Sequence, residues 1–288
     1  MAGIDVGVMG GSGLYEMAGA NVLETVEIES PFGAPSDAVT IAELAGVRVG
    51  FLPRHGRGHR LSPSHVPYRA NVWALKALGA RNIVSITAVG SLREGIAPGH
   101  LVVPDQLLDR TKGVRPGTFF DEGLAVHVGF ADPYCPALRN VVIDGANELG
   151  LPVHDRGTLV VMEGPQFSTR AESNLYRSFG AHVIGMTALP EAKLAREAQL
   201  CYVTLAMATD YDCWHETEQD VTVESVVAVL KKNTANAQRL FARVVGRIAA
   251  HTDCACHRAM QGAVITAPDC VTPELRERYA LLLDGVLP

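Results

Sequence analysis

From position 200 to 208 the chain reads Leu-Cys-Tyr-Val-Thr-Leu-Ala-Met-Ala, and it then turns polar at Thr209-Asp210-Tyr211-Asp212. A run of that length without polar alternation reads as a buried strand, of the kind found in the open sheets of α/β folds. Ligands of such sheets collect beyond the carboxyl ends of the strands, where Asp210 and Asp212 stand. If the extended backbone continues, positions two apart point the same way, so both carboxyls face one pocket. Crowded, partly buried acids shift upward in pKa, and one of them then holds a proton near neutral pH. The competing reading is a solvated turn carrying two surface acids.

Strand and helix signals alternate along the rest of the chain. Strands are expected at 4–9, 47–52, 82–88, 157–162 and 182–186, and helices at 66–78, 136–149 and 189–199. The longest helix is expected to start at a Thr222 cap and run to about 251, with Val223, Val226, Val227, Leu230, Ala237, Leu240, Phe241, Val244, Val245 and Ile248 as its apolar stripe. No repeat or linker divides these elements, which argues for one α/β domain. Residues 108–133 are long and weakly periodic, as functional or interfacial loops are.

Composition removes several classes of function. A net charge of −6 gives no reason to expect a polyanionic partner such as nucleic acid. No apolar run reaches the roughly 20 residues that span a bilayer, and Met-Ala-Gly-Ile-Asp is not a secretory leader. Six cysteines in 288 residues are too sparse for a disulfide scaffold, so the expected compartment is the reducing cytoplasm.

Polar groups gather where the strands end. The first strand empties into Gly10-Gly11-Ser12-Gly13, whose backbone N–H groups and hydroxyl suit an anion, although taken alone the loop reads more simply as a plain tight turn. It is neither a Walker loop, lacking Gly-Lys-Ser/Thr, nor a dinucleotide fingerprint, because Glu16 stands where the last glycine belongs. Arg54 and His55 close the second strand and offer a planar fork and a protonated ring to phosphate. Arg57, His59 and Arg60 read more simply as a solvated basic loop. Thr87, Ala88, Met186 and Thr187 end two further strands. Taken together, Ser12, Arg54, His55, Thr87 and Thr187 outline an anion pocket.

The motifs extend further. Gly-Gly-Ser-Gly-Leu (10–14), Pro-Phe-Gly-Ala-Pro-Ser-Asp (31–37), Arg-His-Gly-Arg (54–57), Tyr-Arg-Ala-Asn-Val-Trp-Ala-Leu-Lys (68–76) and Thr-Ala-Val-Gly-Ser-Leu-Arg-Glu (87–94) are followed by Asp-Gln-Leu-Leu-Asp-Arg-Thr (105–111), Glu-Gly-Pro-Gln-Phe-Ser-Thr-Arg-Ala-Glu (163–172) and Ala-Thr-Asp-Tyr-Asp-Cys-Trp (208–214). In this order, over about residues 4 to 250, they resemble the trimeric purine nucleoside phosphorylases. The resemblance implies a single domain with a central mixed, partly barrel-like sheet flanked by helices, in a homotrimer with active sites at its interfaces. It gives a phosphorylase domain over 1–250 and a Cys/His-containing extension, 251–288, on the same domain.

The implied activity is reversible phosphorolysis of 5′-methylthioadenosine to adenine and 5-methylthioribose 1-phosphate. The alternative is a broader phosphorylase acting on adenosine, inosine or methylthioinosine. Carried over residue by residue, phosphate is held by Ser12, Arg54, His55, Thr87, the Ala88 backbone and Thr187. The nucleoside meets Phe167, Ser168, Met186, Asp210, Tyr211, Asp212, Val223 and Val226, with His127 supplied by a neighbouring subunit and Asp210 as the catalytic acid. Val223 and Val226 also read as ordinary helix core. Inorganic phosphate is a co-substrate, and no metal or other cofactor is expected for the reaction. Departures from the pattern are Ser12 where some relatives carry Thr, Gly185 where methylthioadenosine-specific relatives often carry Asn, and a tail that fades after residue 250. In that tail, His251-Thr-Asp-Cys254-Ala-Cys256-His257 is a poor zinc signature by spacing, and reduced thiols are the favoured reading over zinc or a disulfide.

Overall fold

A computed structural model describes residues 3–11, 17, 19–215 and 223–287, side chains excepted at 223–228 and 230. Its strands are β1 (Val6–Gly10), β2 (Asn21–Val26), β3 (Val39–Leu44), β4 (Val47–Pro53), β5 (Asn82–Ser91), β6 (Leu101–Val102), β7 (Gln106–Arg110), β8 (Val153–His154), β9 (Thr158–Met162), β10 (Val183–Gly185) and β11 (Cys201–Asp210). The helices are α1 (Tyr68–Ala77), α2 (Pro136–Glu148), α3 (Arg170–Ser178), α4 (Ala188–Glu197), α5 (Val223–Ala249), α6 (Pro273–Arg278) and α7 (Ala280–Leu283).

All strands belong to one mixed sheet. Its main path is β2-β3-β4-β1-β5-β10-β9-β7, and β11 lies on the other side of β5, continuing to β6 and β8. The apolar run at 200–208 is the parallel neighbour of β5 from Cys201 to Asp210, buried along almost its whole length. Alternate residues divide between two cores, as the period of two requires. Tyr202, Ala206 and Ala208 enter the core built with α1 and α4. Cys201, Val203, Leu205 and Met207 enter the core under α2 and α5. Ala237, Leu240, Phe241, Val244, Val245 and Ile248 are buried as the helical stripe demands. Helices α2 and α5 pack closely at Gly145, where an added Cβ would sit 2.2 Å from Val244 Cγ1. The expected Thr222 cap lies outside the described residues.

β5 is the strand that makes room for a site. Its first residues pair with β1 as far as Ser85, and its last pair with β10 from Gly90 onward. Between them, 86–89 keep β11 on one side and, among the described residues, no strand on the other. β1 and β10 splay apart there, and the gap opens at the carboxyl end of the sheet, the crevice favoured for ligands in α/β folds.

β2, β3, β6, β7, β8, α3, α6 and α7 carry no clear sequence signal, and β7 lies partly within the stretch expected to be loop. β2 is an exposed edge strand with no apolar alternation. β3 adds to the sheet as an antiparallel partner of β4. α3 is a polar surface helix, announced only by its Thr169/Glu172 capping box. Residues 251–287 do not hang free: Met260, Ala263, Val271, Tyr279, Leu282 and Leu283 join the α1/α4 core. Among the described residues no helix is long and apolar enough to cross a membrane.

Candidate active site

The gap beside β5 is the mouth of a cavity of about 830 Å³, within the usual range for small-molecule sites. Ile86 to Gly90, Met207, Thr209, Asp210 and Asp212 form one wall, and the loop after β4 and residues 184–187 form the others.

Asp210 and Asp212 both reach the cavity, but not by continuing the strand. The β11 register shifts between Ala208 and Asp210, so Thr209 is a bulge residue that re-aims the acid. The chain then leaves the sheet, and Asp212 opens a 3₁₀ turn at φ 51°. Asp210 Oδ1 accepts the Asp212 amide at 2.8 Å, and Oδ2 accepts the Thr209 hydroxyl at 2.7 Å. Burial raises the Asp210 pKa above its ordinary 3.8, and those two donors offset only part of the rise. Burial also raises Asp212, with the Asp210 charge adding a smaller push. Desolvation, more than like-charge crowding, therefore favours the protonated acid. Gly90 makes the arrangement possible: an added Cβ there would lie 3.0 Å from Asp210 Oδ1 and 3.1 Å from Ile184 Cγ2.

The other end of the cavity is rich in donors. Thr87 and Thr187 approach hydroxyl to hydroxyl at 3.5 Å, and the Thr187 side chain caps no N–H of α4, so both can turn to a ligand. Ala88 lies on the unpaired stretch of β5, where every second residue presents its backbone polar groups to the open edge.

Two expectations for the phosphate end need correction. Arg54 borders the cavity, yet its guanidinium is buried and committed to Glu191, which is itself fully buried. Nη2 also bonds Ser85 Oγ at 2.7 Å and Met9 O at 3.1 Å, while Nη1 reaches Ile86 O at 3.3 Å. Of the five guanidinium donors, this leaves one Nη1 hydrogen for a ligand among the described residues. Arg54 is thus the floor of the site and not an open fork. His55 is not protonated either. Burial and the Arg54 charge push its pKa down to about 4. Its Nδ1 lies 2.8 Å from the Leu61 carbonyl, so Nδ1 carries the hydrogen and Nε2 is an acceptor. The basic loop divides: Arg57 bonds Thr40 and lies beside Asp37, whereas His59 and Arg60 line the cavity.

Met186 and Phe167 lie on the wall between the two ends. Gly164 holds φ 67° where an added Cβ would strike Met186 Sδ at 2.5 Å, so the loop folds onto the methionine. Three expected residues do not line the cavity. Tyr211 turns away, donating to Glu94 O at 3.1 Å and stacking on His215. Ser168 lies behind the wall, its hydroxyl 3.5 Å from the Met162 sulfur and also hydrogen-bonded to Asp212. His127 is exposed, its amide bonded to Ala263 O. Ser12 lies outside the described residues, as do the side chains of Val223 and Val226.

Other residues that shape the cavity carried no sequence signal. Arg115, in the weakly periodic stretch, bonds Glu163, the Met186 carbonyl and Leu189 O, tying two walls together. Asn233 on α5 donates to Ala208 O at 2.8 Å and fixes the helix against the bulge.

The chain belongs to the phosphorylase superfamily, whose sequence model matches residues 5–246. It is 52% identical, over 96% of its length and 97% of the relative's, to the S-methyl-5′-thioadenosine phosphorylase of Geobacter sulfurreducens. Its fold matches a crystal structure of methylthioadenosine phosphorylase from an antarctic soil metagenomic library, with TM-score 0.94, 47% identity and coverage of 98% and 100% of the two chains. A methylthioadenosine phosphorylase from Schistosoma mansoni, in complex with adenine, matches with TM-score 0.83 and 32% identity over 98% of this chain and 99% of that one.

Proposed function

We propose that the chain catalyses reversible phosphorolysis of 5′-methylthioadenosine, giving adenine and 5-methylthioribose 1-phosphate. The observation that carries this reading is one cavity with a buried, upshifted carboxyl at one end and paired hydroxyls with unpaired strand edge at the other. A nucleoside with its base on Asp210 and its sugar on Met186 leaves the anomeric carbon facing the donor-rich end.

Adenine offers a lone pair at N7 and N–H at its 6-amino group. A protonated Asp210 complements both, giving O–H to N7 and accepting from the amino group. As the C1′–N9 bond lengthens, its electron pair passes into the purine and the Asp210 proton moves to N7. General acid help of this kind is worth on the order of 10²–10⁴ in rate. Phosphate, held by Thr87, Thr187, the Ala88 backbone and the Ser12 loop, faces the cation-like sugar and bonds its anomeric carbon. Neutral His55 accepts the P–OH hydrogen of hydrogen phosphate at Nε2, and Arg54 contributes charge from below through its single spare N–H.

Val223 and Val226 begin α5, and Thr234 of the same helix lines the cavity. Apolar residues there would favour a thiomethyl group, because they leave a 5′-hydroxyl unpaired. Exposed His127 follows Val126, which is bridged to Val264, and the next residue on that partner segment, Ile265, is 63% exposed. That apolar surface supports a homotrimer in which His127 enters a neighbour's site. We place the enzyme in the cytoplasm, with no metal taking part in the reaction.

The test is adenine release from methylthioadenosine with and without inorganic phosphate, compared with adenosine and inosine. Strictly phosphate-dependent turnover, fastest on methylthioadenosine, is expected. Turnover without phosphate, or a preference for inosine, contradicts the assignment.

A further inference from the structure

The end of the sheet opposite the cavity gathers sulfur and imidazole. Cys135 precedes α2, its amide bonded to Tyr202 O at 2.8 Å. Cys201 opens β11, its amide bonded to Arg81 O at 3.0 Å. His251 follows α5, and its carbonyl accepts Asn82 Nδ2 at 3.1 Å. Cys254 caps the next 3₁₀ turn. The ligand atoms of these four residues all lie within 4.8 Å of one another. Cys135 Sγ is 3.8 Å from Cys254 Sγ and 4.0 Å from His251 Nε2.

We propose that Cys135, Cys201, Cys254 and His251 form a structural zinc site that fastens the C-terminal segment to the sheet. In a tetrahedron with zinc–sulfur bonds of about 2.3 Å the edges are about 3.8 Å, which is the sulfur–sulfur separation seen here. A disulfide needs sulfurs about 2.05 Å apart. Three thiolates and one imidazole in tetrahedral array select zinc over harder cations. Binding sends three thiol protons to solvent and leaves one net negative charge on the site.

The surroundings suit that charge. Arg81 Nη2 donates to His257 Nδ1 at 3.1 Å, so His257 Nε2 carries its hydrogen, shared between the Arg81 carbonyl at 3.2 Å and Cys201 Sγ at 3.3 Å. A donor aimed at a thiolate ligand, backed by a guanidinium, is the outer arrangement metal sites use. None of the four ligands lines the cavity. Cys201 and Asp210 terminate the same strand, on the order of 30 Å apart at about 3.3 Å per residue. The metal therefore holds structure and takes no part in phosphorolysis.

The full-length protein, purified from zinc-supplemented cells and dialysed, should carry about one zinc per chain. The Cys270→Ser variant should match it, since Cys270 is exposed and outside the cluster. The double variant Cys135→Ser/Cys254→Ser should lose the metal and melt at lower temperature. Should that variant misfold, cobalt(II) titrated into chelator-stripped native protein gives an independent reading. It should produce thiolate charge-transfer bands and the intense d–d bands of tetrahedral coordination. Metal-free native protein with no cobalt spectrum overturns the proposal. So does a denatured, unreduced mass two hydrogens light, which would assign these sulfurs to a disulfide.

Discussion

Replacing Asp210 by Asn separates its chemical role from its structural one. The amide can keep both internal bonds: its Oδ1 still accepts the Asp212 amide, and Thr209 can redirect its hydroxyl to Val89 O, already 3.2 Å away, and accept from the new Nδ2. What is lost is an acidic proton. Asn can hydrogen-bond N7 but cannot protonate it, and its N–H₂ meets the adenine amino group donor to donor. Removing general acid help costs about 10²–10³ in kcat for 6-aminopurine nucleosides, or about 3–4 kcal/mol. For a 6-oxopurine the same N–H₂ pairs with O6, so inosine should lose much less, and the selectivity ratio should fall by roughly 10²-fold. Stability should move the other way. The folded pKa of Asp210 is raised above 3.8, so its contribution is complete below that value and is lost as pH rises through the folded pKa. A neutral amide escapes that penalty, and Tm at pH 7 should hold or rise. The assay is initial-rate adenine and hypoxanthine release at saturating phosphate, with thermal melts alongside. An unchanged selectivity ratio, whatever the drop in rate, would refute the proton-donor argument.

Arg54→Ala strands Glu191 as an unpaired buried charge, so we expect about 3–5 kcal/mol of destabilisation, read by denaturant titration; a stable variant with only weaker phosphate use would return Arg54 to the role of an open fork. Gly90→Ala pushes a methyl against Asp210 Oδ1 and should lower kcat at least tenfold while KM for phosphate stays nearly constant, and equal kinetics would show that the acid has room to move. His55 falls from 6.5 to about 4 on folding, so its contribution is complete above pH 6.5 and is lost as pH drops toward 4. It amounts to up to about 3 kcal/mol. His55→Gln should flatten the melting profile across that window, and an unaltered slope would assign acid sensitivity to other groups.

The sheet was legible where burial is two-sided. The run at 200–208 declared β11, and the apolar stripe of α5 declared its buried face, because periodicity reports burial directly. β2 escaped because an exposed edge strand needs no apolar alternation. At the site, residue identity indicated which chemistry was present but not what each group had free to offer. Arg54 reads as a phosphate fork until Glu191, 137 positions later, is seen to occupy it. His55 reads as a cation until burial and the Arg54 charge are counted. Asp210 and Asp212 share a cavity through a bulge and a left-handed residue, and regular alternation cannot foresee either. Likewise Cys-x-Cys spacing looked unpromising because two of the sulfurs near Cys254 come from positions 135 and 201.

The unpartnered stretch of β5 has a consequence for how this enzyme would answer to genetic probing. Where a co-substrate is gripped by main chain, every amino acid except proline supplies the same grip. An alanine scan is therefore blind at position 88, which is already alanine, and a drifting lineage could exchange that one side chain without surrendering a main-chain grip, whereas Thr87 would still answer through its hydroxyl. Proline scanning, or amide-to-ester replacement of single peptide links, would expose a dependence that conventional mutagenesis passes over.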